Sequence, residues 1–269
     1  MTLLSALHLY VAYIAISIRG QLQYRANFIL QTLAQFLITG VEFLGLAALF
    51  QRFNSIDGWS LAEVALFYGM IGIAFAICEA AARGFDIFAR MVNTGNFDRI
   101  LLRPRTAALQ IIGQEFQLMR LGRFTQALIV LLWAAATLNV HWTPAAILLL
   151  VAAILGGACL FTGLVVLQAT LCFWTIESIE IFNCTTFGGV EAAQFPITIY
   201  RNWFRQIFIY FIPLATINYF PVHAILRRAD PLGSPEWLQW LSPMAGVLFL
   251  LLCLQFWRFG VKHYKSTGS

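Results

Sequence analysis

The largest polar interruption between two long apolar blocks is a basic segment whose side chains could bind a partner. Residues 85–106 read FDIFARMVNTGNFDRILLRPRT, in which apolar residues and arginines are interrupted by the turn-forming run NTGN. We expect a short helix that restarts at Phe97 and stops at Pro104, because proline cannot continue a helix. Phe97, Ile100 and Leu101 share one face of that helix, which can dock in a groove of a partner. The alternative is a solvated loop whose arginines only set membrane topology.

Charged residues at the ends or in the middle of apolar blocks are the second group of candidates. Glu42 lies near the middle of the first long block, where a charge costs roughly 2.5–3.5 kcal/mol on insertion scales. We expect it either to line a route for cationic or hydrogen-bonding cargo, or to be paired within the bundle or between chains. Glu79 precedes Arg83 by four residues, which predicts a structural ion pair. Arg120 and Arg123 open the third block and are expected to be anchors at the head-group level, the alternative being that they transmit motion.

Several kinds of catalysis are excluded by what the sequence omits. Lysine occurs only at positions 262 and 265, so no G-x-x-x-x-G-K-[ST] loop for nucleotide phosphates is present. The four histidines are dispersed, and the five cysteines stand apart without a CxxC or Cys/His cluster. We therefore expect no catalytic residue, no metal site and no cofactor in this chain.

The composition defines the fold class. Apolar residues make up 60% of the chain, charged residues only 11%, and the mean hydropathy is +0.78. A soluble domain carries about 25% charged residues, so a chain of this length could not build a water-facing surface from so few. Apolar blocks of about 20 residues match the thickness of a bilayer when helical. The sequence therefore predicts an all-α, multi-pass membrane protein.

The blocks divide one domain, residues 1–269, into six predicted spans. Residues 1–25 precede them as an interfacial helix, with a true span over residues 3–18 as the alternative. Residues 172–202 are interpreted as amphipathic or broken helix near one membrane face, or as a broken helix at membrane depth. The fifth span is expected to bend near Pro213 and Pro221. The predicted spans cover about residues 28–50, 61–82, 115–138, 144–170, 204–226 and 244–259.

The distribution of arginine predicts the orientation. Basic residues cluster in alternate loops, as the positive-inside rule requires. With six spans, Arg201 and Arg205 fall on the same side as residues 83–105 and the C-terminal tail, so both termini should be cytoplasmic. Arg227 and Arg228 fall on the opposite side and do not fit this pattern.

Several short motifs resemble those of one transporter family. The run GNFDRILLRP at residues 95–104 is similar to the G-x-[FL]-D-x-x-L-x-[RK]-P pattern of ABC-2-type permeases, the membrane subunits of many bacterial ABC exporters. No single motif is specific, but their order extends the resemblance over nearly the whole chain. The other runs that carry it are YRANF at 24–28, FW at 173–174, QFP at 194–196 and PLATINYFP at 213–221.

The resemblance implies a six-span ABC-2 fold, similar to type V exporters, with an N-terminal interfacial helix. It also implies that the loop at residues 83–105, between spans two and three, carries a coupling helix that docks on a separate P-loop ATPase subunit. That ATPase would bind ATP and magnesium, and a second permease chain, related or identical, would complete the pathway in the bacterial inner membrane. The coupling role is carried to Gly95, Phe97, Asp98, Leu102, Arg103 and Pro104.

The expected function is export of a small amphiphilic, drug-like or lipid-like substrate. Direction and substrate follow from the resemblance alone. A second hypothesis is a self-sufficient secondary transporter or channel that uses Glu42 as a cation or proton site. A third is a membrane scaffold that transports nothing. Inspection reveals no internal repeat, which disfavours the secondary transporter.

Overall fold

The computed structural model describes residues 3–175 and 179–264, and within them every regular element is a helix. Short 3-10 helices lie at Leu118–Arg120, Ile197–Ile199 and Leu214–Thr216, and Ile207–Phe211 forms a π-helical turn. The α-helices are α1 (Leu3–Gln23), α2 (Arg25–Arg52), α3 (Leu61–Ala81), α4 (Arg83–Asp86), α5 (Phe88–Asn93), α6 (Asn96–Leu101), α7 (Ala107–Ile112), α8 (Leu121–Thr137), α9 (Pro144–Leu171), α10 (Ile179–Ala193), α11 (Asn202–Gln206), α12 (Tyr219–Leu226), α13 (Glu236–Leu241) and α14 (Met244–His263).

Five described helices are long and apolar enough to cross a membrane: α2, α3, Leu118–Thr137, α9 and α14. A sixth crossing arises if the bent pair Asn202–Phe211 and Leu214–Leu226 is counted as one span. Their positions match the apolar blocks seen in the sequence. The prediction of an all-α membrane protein is therefore confirmed.

Local signals explain where two of these helices begin. Ser60 and Glu63 form a capping box at the start of α3, in which the Ser60 amide donates to the Glu63 carboxylate at 2.8 Å. Thr143 accepts a hydrogen bond from the amide of Ala146 at 3.2 Å, and Pro144 occupies the first turn of α9. These contacts satisfy amides that a helix start leaves without intrahelical partners.

Helix α3 is the centre of the bundle, packed between α8 and α9, with α14 against α9 and α2 against α8. The apolar stretch of α3 is 78% buried, whereas that of α2 is only 17% buried. Glycine permits the close crossing of α9 and α14, because a Cβ on Gly246 would lie 2.0 Å from the carbonyl oxygen of Gly156. Most of the α2 surface therefore faces outward.

The bundle has two ends. We call the end that carries α4 to α7 the loop end, and the end that carries residues 53–60, 138–143 and 227–235 the far end. Helix α1 lies across the loop end: the Tyr10 hydroxyl donates to the carbonyl of Ala81 at 3.4 Å, and the Ser17 hydroxyl to that of Phe116 at 3.0 Å.

The polar stretch that follows α9 enters the bundle. Residues 176–178 lie outside the described residues, as does Lys265 in the tail. Beyond them, Val190 and Ala193 of α10 belong to the buried core at the loop end, whereas Ile197 belongs to the core at the far end. The chain thus passes from one half of the bundle to the other, which favours a broken helix at membrane depth over a surface helix.

The segment after α10 bends as expected at Pro213 but not at Pro221. The arms Asn202–Phe211 and Leu214–Leu226 meet at 72°. Pro221 lies in the first turn of α12, where its missing N–H costs no hydrogen bond.

The six-span count places Arg205 on the side of the loop end, but its contacts lie elsewhere in the bundle. Its guanidinium donates to the carbonyls of Thr198 and Tyr200 at 3.3 and 3.2 Å and lies within electrostatic range of Tyr219. The Tyr219 hydroxyl in turn donates to Asp230 of the far-end loop at 2.7 Å. Arg205 therefore packs with the far half of the bundle.

Candidate functional site

The loop end contains the short helix that the NTGN break predicts. Gly95 precedes α6 with φ of +68°, a left-handed conformation that glycine adopts without strain. Asp98 lies in the first turn, where a carboxylate meets the positive end of the helix. The helix ends at Leu101, before Pro104. The short helix expected between the NTGN run and Pro104 is therefore present.

The face of α6 that was expected to meet a partner instead packs inside the chain. Phe97 is fully buried and Ile100 nearly so. The Phe97 ring lies 5.0 Å from that of Phe88 and 4.9 Å from that of Tyr264, centroid to centroid, and contacts Trp257 as well. Such edge-on aromatic contacts stabilise the packing. The expectation that Phe97 and Ile100 face a partner is therefore not met, because both side chains are buried within this chain.

The outward surface of this region is basic. Arg90, Arg99 and Arg103 line a cleft of about 400 Å³ between α5 and α6, together with the polar side chains of Thr94 and Asn96. None of the three arginines forms an ion pair with another described residue. A planar guanidinium matches carboxylate and phosphate groups, so this cleft is suited to an anionic partner surface.

The apolar contribution to that surface comes from the helix end. Leu102 is 85% exposed and Leu101 is 42% exposed, next to the arginine-lined cleft. An exposed leucine flanked by arginines can insert into an apolar pocket while the charges pair around it. Of the residues assigned a coupling role, Leu102 and Arg103 are thus accessible, whereas Phe97 holds α6 in place.

A buried charge centre connects this region to the span helices. Glu79 of α3 accepts from Arg120 at 3.0 Å and from Arg123 at 3.2 Å, and all three side chains are at most 19% exposed. The predicted pair between Glu79 and Arg83 is wrong, because α3 ends at Ala81 and Arg83 begins a separate helix. The expectation that the two arginines are head-group anchors is also wrong.

Arg83 has another partner. It pairs with Asp86, three residues further along the chain. That contact lies within α4, so Arg83 is not one of the ion-pair partners of Glu79.

Glu42 lies on an open face of the bundle. Its side chain is exposed on α2, and no ion pair joins it to another described residue. Glu191 of α10 is also exposed and lies within electrostatic range of both Glu42 and Arg123. Sequence reasoning gave Glu191 no part here, since only the path of α10 brings it toward α2.

Comparison with known proteins identifies the family. A family model described as ABC-2 family transporter protein matches residues 36–268. This chain belongs to the ABC-2 transporter family. No curated protein and no solved structure gives a match. The resemblance seen in the motifs is therefore confirmed: the chain is an ABC transporter permease with several transmembrane helices, a membrane component of the kind that works with an ATPase subunit.

This ABC-2 permease also has a polar cluster at its far end that sequence reasoning missed. Arg228 donates to Glu63 at 3.0 Å and to the carbonyl of Gly58 at 3.1 Å, and its Cζ lies 4.1 Å from the ring centroid of Trp59. Glu63 had no expected role. The signal was the misfit of Arg228 to the positive-inside pattern, which is resolved because a carboxylate neutralises it.

The loop that follows is closed by Asp230. Its carboxylate accepts from the amides of Leu232 and Ser234 at 2.9 and 3.0 Å, and from the Tyr219 hydroxyl. Burial alone would raise the pKa of Asp230, but these hydrogen bonds outweigh it and hold the pKa below its ordinary value. Arg228 and Asp230 at the far end are thus satisfied within the chain, unlike the arginines of the cleft at the loop end.

Proposed function

We propose that this permease is the membrane subunit of an ATP-driven ABC exporter and receives the movement of a separate ATPase through α6. The arginine-lined cleft beside exposed Leu102 is the observation that carries the proposal. In this assignment Arg103 and Leu102 contact the ATPase, while Gly95, Phe97, Asp98 and Pro104 shape and hold the coupling helix.

The interior packing supports a rigid connection between this surface and the spans. Phe97 is wedged among aromatic rings that include Trp257 of α14 and Phe173. A push on α6 therefore reaches α14 without passing through a flexible loop. The charge centre at Glu79 joins α3 to the third span, so the helices next to the loop move together.

The proposed architecture has six crossings, with α1 as an interfacial helix on the cytoplasmic side and both termini cytoplasmic. The contacts of α1 at the loop end support this arrangement. We assign the fifth crossing to α10 and the residues up to about 200. The bent arms that follow then enter the bilayer from the far side and return to it. This keeps Arg205 and Arg228 on the same side.

The pathway is proposed to form between this chain and a second permease, related or identical. The open surface that carries Glu42 and Glu191 would line it, which suits a small amphiphile with a cationic or hydrogen-bonding group. ATP and magnesium belong to the partner ATPase. Exposed apolar side chains on α2, such as Leu37 and Leu44, would provide the surface on which the second chain packs.

The test is purification of the tagged chain from its native membrane in mild detergent, with mass identification of associated proteins and an assay of their ATPase activity. We expect a stoichiometric P-loop ATPase with the unaltered chain. Arg103→Glu should release it, or abolish transport-linked ATP hydrolysis, because it places a negative charge against an acidic partner surface. Leu102→Asp should act in the same direction.

Arg227→Glu is the matched control, because Arg227 is an exposed arginine at the far end. It should insert, bind the ATPase and support transport as the unaltered chain does. Normal ATPase binding and transport in Arg103→Glu would overturn the coupling assignment. A chain that never carries an ATPase, yet shows ion-driven flux blocked by Glu42→Gln, would overturn the exporter proposal in favour of a self-sufficient carrier.

A further inference from the structure

A groove of about 720 Å³ lies on the outer side of the loop end, between α7 and the last turns of α14. Its volume is in the range of small-molecule sites, about 300–1,000 Å³. One wall is formed by Ala107 and Ala108, and the other by Leu254 and Val261. The groove is separate from the arginine-lined cleft between α5 and α6, and the proposed function does not use it.

The rim of the groove carries two cations. Arg258 and Lys262 are exposed and four residues apart on α14, so their side chains are neighbours on one helix face. Like charges at this spacing destabilise a helix slightly. Neither forms an ion pair with another described residue, and the nearest polar contact of Arg258 is to Gln255 at 3.3 Å. An anion at the rim would relieve that repulsion.

An exposed apolar surface lies next to the groove on the same helix. Leu248, Leu251 and Leu252 form an exposed apolar strip on α14, one to two turns before the groove. Near the rim, Trp174 stacks on Phe259 and Phe256, as aromatic side chains do at the level of lipid head groups. Apolar strip, aromatic belt and paired cations therefore follow one another along the helix in the order of a lipid's acyl chain, interface and head group.

We propose that this groove is a binding site for a phospholipid with a net negative head group, whose phosphate contacts Arg258 and Lys262. One acyl chain would lie between α7 and α14. Basic pockets between helices at the cytoplasmic face are suited to such head groups. The site borders α7, which follows the coupling loop, so bound lipid would brace the loop against α14.

The site is tested on the purified chain without any ATPase, so that failure of the exporter proposal cannot affect the result. The chain is titrated with phosphatidylglycerol or phosphatidylcholine, and native mass spectrometry counts the bound lipid. We expect phosphatidylglycerol to bind preferentially. Arg258→Gln combined with Lys262→Gln should weaken its binding about tenfold or more, since each cation near the surface contributes to the attraction.

A second variant tests the apolar wall independently of charge. Thr106→Trp should fill the mouth of the groove and so weaken phosphatidylglycerol binding. Thr106 makes no side-chain capping bond, so its loss should not unfold α7. The matched control is Arg52→Gln combined with Arg227→Gln, which removes two exposed cations at the far end. It should leave lipid binding unchanged.

Four results would overturn the proposal. The first is equal binding of the two lipids, and the second is unaltered phosphatidylglycerol binding in both groove variants. The third is displacement of the lipid by inorganic phosphate as efficiently as by excess phosphatidylglycerol, which would mean that the groove recognises only a phosphate group. Protection of the groove by a co-purified protein, with no lipid bound, would assign it to a partner helix and also reject the lipid site.

Discussion

Arginine side chains at the two ends of the bundle have different surroundings. At the far end, the guanidinium of Arg228 is occupied by a carboxylate, a backbone carbonyl and an indole ring. At the loop end, Arg90, Arg99 and Arg103 line an open cleft and form no ion pair within the described part of the chain. Arg228 at the far end is thus satisfied within the chain, whereas the arginines of the cleft at the loop end are open to a partner.

We interpret this difference as one between an arginine that stabilises the fold and arginines that bind a partner. Replacing an arginine that has a complete set of partners should lower the stability of the protein, because a carboxylate then loses its counterion. Replacing an arginine at an open cleft should weaken the binding of a partner protein and leave stability nearly unchanged. The comparison is tested by changes that remove one charge from each setting and measure stability and ATPase binding separately.

The largest effect on stability is expected at the buried charge centre beside the loop end. Glu79→Gln would leave Arg120 and Arg123 as two neighbouring positive charges with little solvent to screen them. We expect a loss of about 2–3 kcal/mol in the free energy of unfolding, because breaking a buried ion pair leaves an uncompensated charge. Thermal unfolding in detergent, followed by intrinsic tryptophan fluorescence, measures it.

Glu236→Gln provides the control, since Glu236 is exposed and no ion pair joins it to another described residue. Its stability should change by less than about 0.5 kcal/mol. A loss at Glu79 no greater than at Glu236 would show that the charge centre does not hold α3 to the third span.

A smaller loss is expected when the far-end arginine is removed. Arg228→Met should reduce stability by about 1–2 kcal/mol, because it removes the contact with the Trp59 ring and an ion pair that is partly screened by solvent. ATPase binding should not change. Arg103→Met should do the reverse, losing ATPase binding at nearly constant stability, and an equal stability loss in both variants would abolish the distinction between the two ends.

Local patterns predicted helix α6 but did not predict which side chains pair with one another. The run NTGN and Pro104 bracket α6 as expected, since turn and helix-stop signals act within a few residues. The pairing of Glu79 with Arg83 failed because it assumed one continuous helix, and α3 ends between them. The actual partners, Arg120 and Arg123, are some forty residues away and are brought close only by the packing of α3 against the third span.

The candidate site shows the same limit. The sequence located α6 and its arginines, but it assigned the Phe97 face to a partner because amphipathicity says which face is buried and not by what. The Phe97 ring packs against Trp257 and Tyr264, which lie near the other end of the chain. Similarly, the positive-inside rule flagged Arg228 as a misfit without identifying Glu63, because the rule counts charges and contains no distances.

The smallest expected effect is a pH-dependent change in stability at Asp230 of the far end. Burial would raise the pKa of Asp230, but hydrogen bonds from Ser234, Tyr219 and Leu232 keep it below the ordinary value of about 3.9. A depressed pKa means that the folded state prefers the ionised carboxylate. The contribution of Asp230 to stability is therefore complete above about pH 5 and is lost as the pH falls through the folded-state pKa.

Asp230→Asn should therefore lower stability by about 0.5–1 kcal/mol at pH 7, a modest figure because the carboxylate is partly exposed to solvent. The difference from the unaltered chain should shrink as the pH falls below about 4. Tyr219→Phe removes one donor and keeps the charge, so it should raise the pKa of Asp230 and move this loss to higher pH. A stability difference between Asp230→Asn and the unaltered chain that is independent of pH would mean that shape, and not the charge, closes the far-end loop.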